Sequence, residues 1–406
     1  MSIPIHPAPT YRPAAQQPVS RANWQLSALP PLSLYIHFPW CVRKCPYCDF
    51  NSHEAKGGID EMGYVAALLQ DLEHSLPLIW GRPIHTIFMG GGTPSLFSPE
   101  AMDALLAGIR ARTKLLPDAE ITLEANPGTV EAAKFKGYRA AGINRLSIGI
   151  QSFNAEHLQA IGRIHDAEEA KRAAALAAET FDTFNLDLMF ALPGQSIAQA
   201  LQDVETALSF APTHLSCYHL TLEPNTYFYR YPPELPDDDA AAEMHDAIEA
   251  RLMAAGFEHY ETSAFARPGH RARHNVNYWQ FGDYLGIGAG AHGKLSFHDR
   301  ILRQARFKQP AAYLKAVSEG NAVQSEEVVG HDQLPFEFML NALRLAEGFA
   351  VPLFAERSGL PITVIERQLQ AAETQGLIER DFRTIKPSER GRRYQNTLLQ
   401  LFLHDA

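Results

Sequence analysis

Residues 35–53 read YIHFPWCVRKCPYCDFNSH and hold three of the chain's four cysteines, Cys41, Cys45 and Cys48. Two thiols would make a disulfide and four would close a zinc site; three leave a fourth position open. A C-x3-C-x2-C loop can gather three sulfurs around one inorganic centre. A [4Fe–4S] cube ordinarily takes four cysteines, so three leave one iron free for another ligand. The amino and carboxylate groups of S-adenosylmethionine can fill that place. Such a pair supplies radical chemistry by one-electron cleavage of the S–C5′ bond, while the protein positions and shields it. The rival readings are a structural zinc completed by Asp49, His37 or His53, and three inert thiols. Zinc fingers take their ligands as two separated pairs, and the sequence holds no second pair.

The run that leads into this loop, LSLYIHF (32–38), opens a series. Apolar, β-rich runs recur at 84–89, 119–124, 144–151, 183–191 and 214–222. Helical spacing fills the intervals at 59–76, 98–114, 129–141, up to about 180, 196–210 and 239–255. Six strands alternating with helices predict an α/β fold with a parallel sheet and right-handed crossovers. The strands are nearly continuous apolar runs, as helix-covered strands are. Polar and glycine-rich residues fall at their C-terminal ends: the cysteine loop after the first, GGGTP after the second, then Glu124, Gln151 and Asp187. Side chains delivered from so many consecutive strand ends converge best on a curved sheet, so the pattern predicts a partial (β/α)6 barrel.

The chain has 406 residues, 46% of them hydrophobic and 20% charged, which suits a multidomain globular protein. The expected division is a disordered extension over 1–30, a barrel over 31–265, a less regular connecting segment over 266–330 and a small C-terminal domain over 331–406. The extension carries six prolines, Arg12 and Arg21 and no acidic residue; the prolines oppose the amphipathic helix of a mitochondrial transit peptide. In the last segment, VIERQLQAAETQGLIERDFRTIKPSERG (364–391) has the order of a winged helix. Residues 331–406 hold nine Lys/Arg against ten Asp/Glu, and the whole chain is at −10, so no basic field points to nucleic acid. Four cysteines, three of them clustered and with no secretory signal before them, fit a reducing cytoplasm. No apolar run approaches the ~20 residues that span a bilayer.

These motifs together carry a resemblance. CVRKCPYC is similar to the signature of the radical SAM superfamily, including the aromatic Tyr47 before the last cysteine. YIHFPWC, GGGTPSL (90–96), LEANPGT (123–129), SIGIQSF (147–153), IGRIH (161–165) and DLMFALPGQ (187–195) resemble its oxygen-independent coproporphyrinogen III oxidase-like branch. Within that branch the chain, from about residue 31 onward, looks most like the heme chaperone HemW group. The resemblance implies that Cys41, Cys45 and Cys48 bind the cluster. It implies that Tyr35, Gly91 and Glu124 line a first S-adenosylmethionine, and that Tyr47, Gly92, Thr93, Gln151, Arg163 and Asp187 line a second. The residue types suit these roles. Glycines let backbone approach a ligand, carboxylates accept from ribose hydroxyls or an ammonium, and Arg163 can grip a carboxylate with two prongs. Singly, each would be a βα turn, a cap or a surface residue.

The oxidase pattern runs C-x3-C-x2-C-x-C, and here Phe50 stands where the further cysteine belongs. That departure weakens the alternative expectation, an oxygen-independent coproporphyrinogen III dehydrogenase of porphyrin biosynthesis. HNVNYW (274–279) matches the H-N-x-x-Y-W element of the heme chaperone group, which implies heme as a further ligand. His274 is then the expected axial ligand, with His292 and His298 as competitors, and Tyr278 and Trp279 offering flat apolar surface. The implied partners are heme, heme-accepting apoproteins such as respiratory enzymes, and an electron donor for the cluster. Peripheral membrane contact would come through the recipients, and the chain would be a monomer or dimer. GAGAHG (288–293) formally fits a dinucleotide loop, but the run before it is broken by Gly282 and Asp283 and no helix or suitably placed acid follows, so it is expected at the barrel mouth or against the first S-adenosylmethionine instead. Cys217 is expected to be a packing residue.

Overall fold

The computed structural model describes residues 24–79, 81–129 and 131–403. The six apolar runs form strands, and helices fill the intervals. In chain order these are β1 (Leu32–Phe38), α1 (Glu61–Ile79), β2 (Pro83–Gly91), α2 (Pro99–Arg112), β3 (Lys114–Ala125), α3 (Ala132–Ala141) and β4 (Arg145–Gln151). There follow α4 (Ala167–Thr180), β5 (Phe184–Phe190), α5 (Ile197–Ser209), β6 (His214–His219) and α6 (Asp238–Ala254). β1 to β6 pair in sequence order, every pair parallel. Leu34, Ile36, Leu123, Ile148 and Leu186 are fully buried, because helices cover one face and the strands curve over their own side chains on the other. Ser98, Asp166 and Ser196 cap α2, α4 and α5 by accepting from backbone N–H groups of the first turn, which fixes where each crossover helix starts.

Residues 266–330 are more regular than their sequence suggests. After β7 (Glu258–Glu261), β8 (Ala264–Ala266) and the short helix α7 (Arg273–Trp279) come β9 (Asp283–Ile287), β10 (His292–Ser296), β11 (Ile301–Arg306) and β12 (Val323–Val328). The result is one twelve-stranded sheet in the order β12-β11-β10-β9-β1-β2-β3-β4-β5-β6-β8-β7. β9 runs parallel to β1, with Tyr35 opposite Gly286, so a seventh parallel strand flanks the barrel's first. β10 to β12 continue antiparallel on that edge, and β8 and β7 on the other. A buried network fastens the added strands. Asp71 on α1 accepts from Arg306 at 3.2 Å, from the Tyr313 hydroxyl at 2.9 Å and from the backbone N–H of Gly288 at 3.2 Å.

The C-terminal unit has helices at Leu334–Ala342, Val351–Ser358 and Glu366–Thr374. A three-stranded sheet joins Phe349–Ala350, Thr384–Pro387 and Ile378–Arg380. Helix, turn, helix and a two-stranded wing follow in the expected order. Phe338, Phe354, Leu369 and Ile385 form its core, which also takes in Phe281 and Ile301 from the sheet edge. The expected extension needs a correction at its end. Residues 1–23 lie outside the described residues, but Trp24 and Leu26 are buried in this second core. The Trp24 indole donates to the Ser358 carbonyl at 2.9 Å, and Leu26 pairs by its backbone with His298. Two apolar side chains close to the prolines give the chain something to bury, and that outweighs the turn-forming composition. No helix among the described residues is long and apolar enough to cross a membrane.

Candidate functional site

The cysteine loop is a pouch with a closed neck. Trp40 and Cys41 pair in parallel with His53 and Glu54, and the His53 N–H reaches the Pro39 carbonyl at 2.7 Å. Inside it, Cys48 N–H bonds to the Cys45 carbonyl at 3.2 Å, and the Lys44 ammonium caps the Phe50 carbonyl at 2.9 Å. Cys41, Cys45 and Cys48 are all partly exposed to one cavity of about 370 Å³. Two donors point at the sulfurs: the Thr93 hydroxyl at Cys41 (3.4 Å) and the Arg163 guanidinium at Cys45 (3.6 Å). Burial pushes the Cys41 and Cys48 thiols up, so their thiolates need a cationic partner.

A single zinc would draw its sulfurs to roughly 4 Å of one another. Among the described residues the one set of three metal-ligand side chains gathered within 4.8 Å is His245, Asp246 and Glu249, on α6. The three sulfurs do not form so tight a set. Of the zinc-completing residues considered, His37 bonds the Tyr35 hydroxyl and the Asn51 carbonyl instead, and His53 the Asn51 amide and the Lys308 carbonyl.

The strand ends deliver the rest. Gly91, Gly92, Thr93, Glu124, Gln151, Arg163, Asp187 and Tyr47 all line the 370 Å³ cavity with the three cysteines. Backbone geometry shows why these positions take these residues. At Gly91, φ is +113° and a Cβ would stand 2.5 Å from the His37 ring; at Gly92 it would stand 2.5 Å from the Trp40 carbonyl. Gln151 closes β4 with φ +68°, a strained conformation for a residue with a side chain, of the kind that collects at ligand sites. Arg163 bonds the Gly149 carbonyl at 2.7 Å, and its Nε is buried without a partner. That orphaned donor beside the cysteines is what an anionic group in the cavity would satisfy. Asp187 accepts from Ser147 and Asn185. Tyr218, at the end of β6, lines the same cavity and was not anticipated; alternation along SCYH was the available signal, since Leu215 and Cys217 face the core and Ser216 and Tyr218 face inward. Cys217 is buried, and burial pushes its thiol up to about 12.

A second cavity, about 730 Å³, adjoins the first at Gly91, Glu124 and the Asp49–Ser52 stretch. Tyr35, stacked with Phe88 at 6.3 Å, lines this larger space. Glu124 stands between the two. Burial, then the neighbouring Asp187, push its carboxyl up to about 8, against a 3.1 Å bond from the Gly91 N–H. The folded chain therefore holds a proton that the unfolded chain has lost above pH ~4.5. Folding stability of the unliganded protein is expected to fall as pH rises from about 4.5 through about 8, by on the order of a few kcal/mol. Glu124→Gln should flatten that slope in calorimetric melts at pH 5 and pH 9 and weaken S-adenosylmethionine in titration calorimetry. An unaltered slope would refute the burial of this charge.

His274 lies apart from both cavities. It belongs to α7 rather than to a loop, and it is 1% exposed. Its Nδ1 bonds Thr86 Oγ1 at 2.8 Å, its Nε2 bonds the Tyr278 hydroxyl at 2.8 Å, and its ring stacks on Phe88. Both ring nitrogens of His274, the expected axial ligand, are hydrogen-bonded inside the fold. Tyr278 and Trp279 do line the larger cavity, and so does His292. His298 instead bonds Leu26, away from it.

Comparison with known proteins agrees with this geometry. The model of the radical SAM superfamily matches residues 35–207, and that of the HemN C-terminal domain matches residues 329–394. The heme chaperone HemW of Escherichia coli (strain K12) is 51% identical over 92% of this chain and 99% of its own length. That of Haemophilus influenzae is 49% identical over 92% and 98%. Among solved structures, coproporphyrinogen III oxidase (HemN) from Escherichia coli superposes with a TM-score of 0.78 at 24% identity, over 92% of this chain and 90% of that one, a likeness of fold. The superfamily implies a [4Fe–4S] cluster and S-adenosylmethionine. With the triad, the strand-end pocket and these relatives agreeing, the chain belongs to the radical SAM superfamily and, within it, to the heme chaperone HemW family.

Proposed function

We propose that this chain is a heme chaperone, which binds heme, carries a [4Fe–4S] cluster with S-adenosylmethionine, and passes heme to acceptor apoproteins such as respiratory enzymes. The observation that carries it is the 51% identity to a heme chaperone over essentially that protein's whole length. Phe50, 59% exposed where the oxidase pattern has a further cysteine, agrees with it. Cys41, Cys45 and Cys48 would hold the cluster. Tyr35, Gly91 and Glu124 would line the S-adenosylmethionine beside the cluster, and Tyr47, Gly92, Thr93, Gln151, Arg163 and Asp187 a second one, with Arg163 facing a carboxylate.

Two measurements test this. Hemin added to the reconstituted chain should bind saturably, and transfer to an apo-cytochrome should follow in a spectroscopic assay. Under anaerobic conditions with reductant, S-adenosylmethionine and coproporphyrinogen III, no vinyl groups should form. Multiple-turnover vinyl formation would replace the chaperone reading with the dehydrogenase.

A further inference from the structure

The outer wall of the cysteine loop carries a surface that the site within does not use. A hollow of about 580 Å³ opens there, lined by Arg43, Lys44, Pro46, Leu158, Arg163 and Ile164. It backs onto the sulfurs. Arg43 and Arg163 line both this hollow and the 370 Å³ cavity, and the Arg163 guanidinium reaches the Cys45 sulfur at 3.6 Å. The loop is fixed to its surroundings here. Arg43 donates to the Gly162 carbonyl at 2.9 Å, and the Phe228 N–H donates to the Pro46 carbonyl at 3.0 Å. At Gly162, φ is +69° and a Cβ would stand 2.8 Å from the Pro46 ring, so glycine is what lets the loop lie this close.

Apolar and cationic side chains share the surface around the hollow. Val42, Tyr227 and Tyr231 are each more than half exposed, and Ile164 is exposed as well. The bond from Phe228 to Pro46 places the helical turn Tyr227–Arg230 alongside the loop. Arg43, Lys44 and Arg230 are exposed and have no carboxylate partner among the described residues. Their contacts are with neutral groups: the Gly162 and Phe50 carbonyls, and the Tyr231 ring 5.5 Å from the Arg230 guanidinium. Asp166 is the one carboxylate lining the hollow, and it caps α4 by accepting from the Glu169 N–H at 2.8 Å. On a chain at −10 such a patch is a local reversal of sign, which steers an anionic partner to this face. An apolar centre with a charged rim has the make-up of a protein–protein contact, and the brief encounters of electron carriers need less than about 1,200 Å² of it. Pro46, Leu158 and Ile164 give the hollow an apolar seat that suits the flat edge of a flavin.

We propose that this face docks a small acidic flavoprotein that carries single electrons, and that its electron reaches the cluster by way of Cys45. The inference rests on the cluster-binding part of the reading above and leaves heme handling untouched. The exchange is one electron and no proton: the carrier's anionic flavin hydroquinone becomes the neutral semiquinone, and the oxidised cluster accepts the electron. The probe is a purified flavodoxin. Its hydroquinone is mixed anaerobically with the reconstituted full chain, and bleaching of the cluster gives the rate. Titration of oxidised flavodoxin into the cluster-free chain measures docking without electron transfer. Added salt should slow the reduction and weaken the binding. Arg43→Glu combined with Arg230→Glu should lower both by on the order of tenfold. Arg230→Glu and Tyr227→Ala lie outside the cysteine loop; each should lower both in the same direction while iron content, melting temperature and the rate with dithionite stay at wild type. Wild-type rate and binding with flavodoxin in all these variants at low salt would overturn the docking face and leave the cluster in place. Unchanged flavodoxin rates together with lost binding to phosphatidylglycerol vesicles would also overturn it, making the patch a membrane contact. A wild type that reconstitutes no cluster would overturn the reading beneath, and the titration of the cluster-free chain would still judge the face.

Discussion

Replacing Cys41, Cys45 or Cys48 singly by alanine is expected to abolish the iron–sulfur cluster. Anaerobically reconstituted wild type should carry roughly four irons and four sulfides per chain. Each variant should carry close to none and lose the brown colour. No other thiol can substitute, since Cys217 is buried in β6 with its thiol pushed up to about 12. Both ring nitrogens of His37 are already bonded, to Tyr35 and Asn51. The fold should survive. The pouch is closed by backbone pairing at Trp40–Cys41 and His53–Glu54, and none of the three cysteines belongs to a hydrophobic core. Melting of the cluster-free forms should therefore differ from the cluster-free wild type by about 1 kcal/mol or less. S-adenosylmethionine affinity should drop with the cluster, since the strand-end residues such as Tyr35, Gly91 and Glu124 then hold it without the iron. Iron retained at wild-type stoichiometry in all three variants would refute the triad as the cluster's anchor.

The barrel was legible because its strands are buried on both faces and so spell continuous apolar runs that no other element imitates. The site was legible because its polar residues interrupt those runs only at their C-terminal ends. The strands β9 to β12 broke both rules. β9 begins with Asp283, a fully buried carboxylate held by Lys294 at 2.9 Å, by Arg82 at 2.9 Å and by Ser296. Charges hidden in pairs read as surface in a sequence. β12, VQSEEV, is an exposed edge strand with the polarity of a loop, as edges that avoid further pairing tend to be. Trp24 and Leu26 were masked by the prolines around them, because their partners Ser358 and His298 lie 334 and 272 residues away. The engagement of His274 was not legible either, because Thr86 lies 188 residues away in sequence and only the fold brings it to the ring.

His274 consequently predicts a stability effect that a heme ligand would not. Thr86 donates its single hydroxyl proton to Ser33, so toward His274 it accepts, and Nδ1 of the imidazole carries the proton. Nε2 then accepts from the Tyr278 hydroxyl, a fixed tautomer bridging β2 to α7. His274→Ala removes a fully buried ring, opens a void against Phe88 and strands two buried hydroxyls. Together these should cost on the order of 3–5 kcal/mol in denaturant unfolding. His274→Gln, which can still donate and accept, should recover part of that loss. The acid limb of the stability curve adds an independent sign. Burial, then Arg145, hold the imidazole pKa down to about 3, whereas the unfolded chain protonates near its ordinary value of 6.5. Between those values the unfolded state binds a proton that the folded state refuses, so stability falls as pH drops from about 6.5 toward 3. The glutamine variant should lack that part of the slope. A glutamine variant as stable as the wild type at pH 7, with the wild-type slope between pH 6.5 and 3, would refute this account of the buried imidazole.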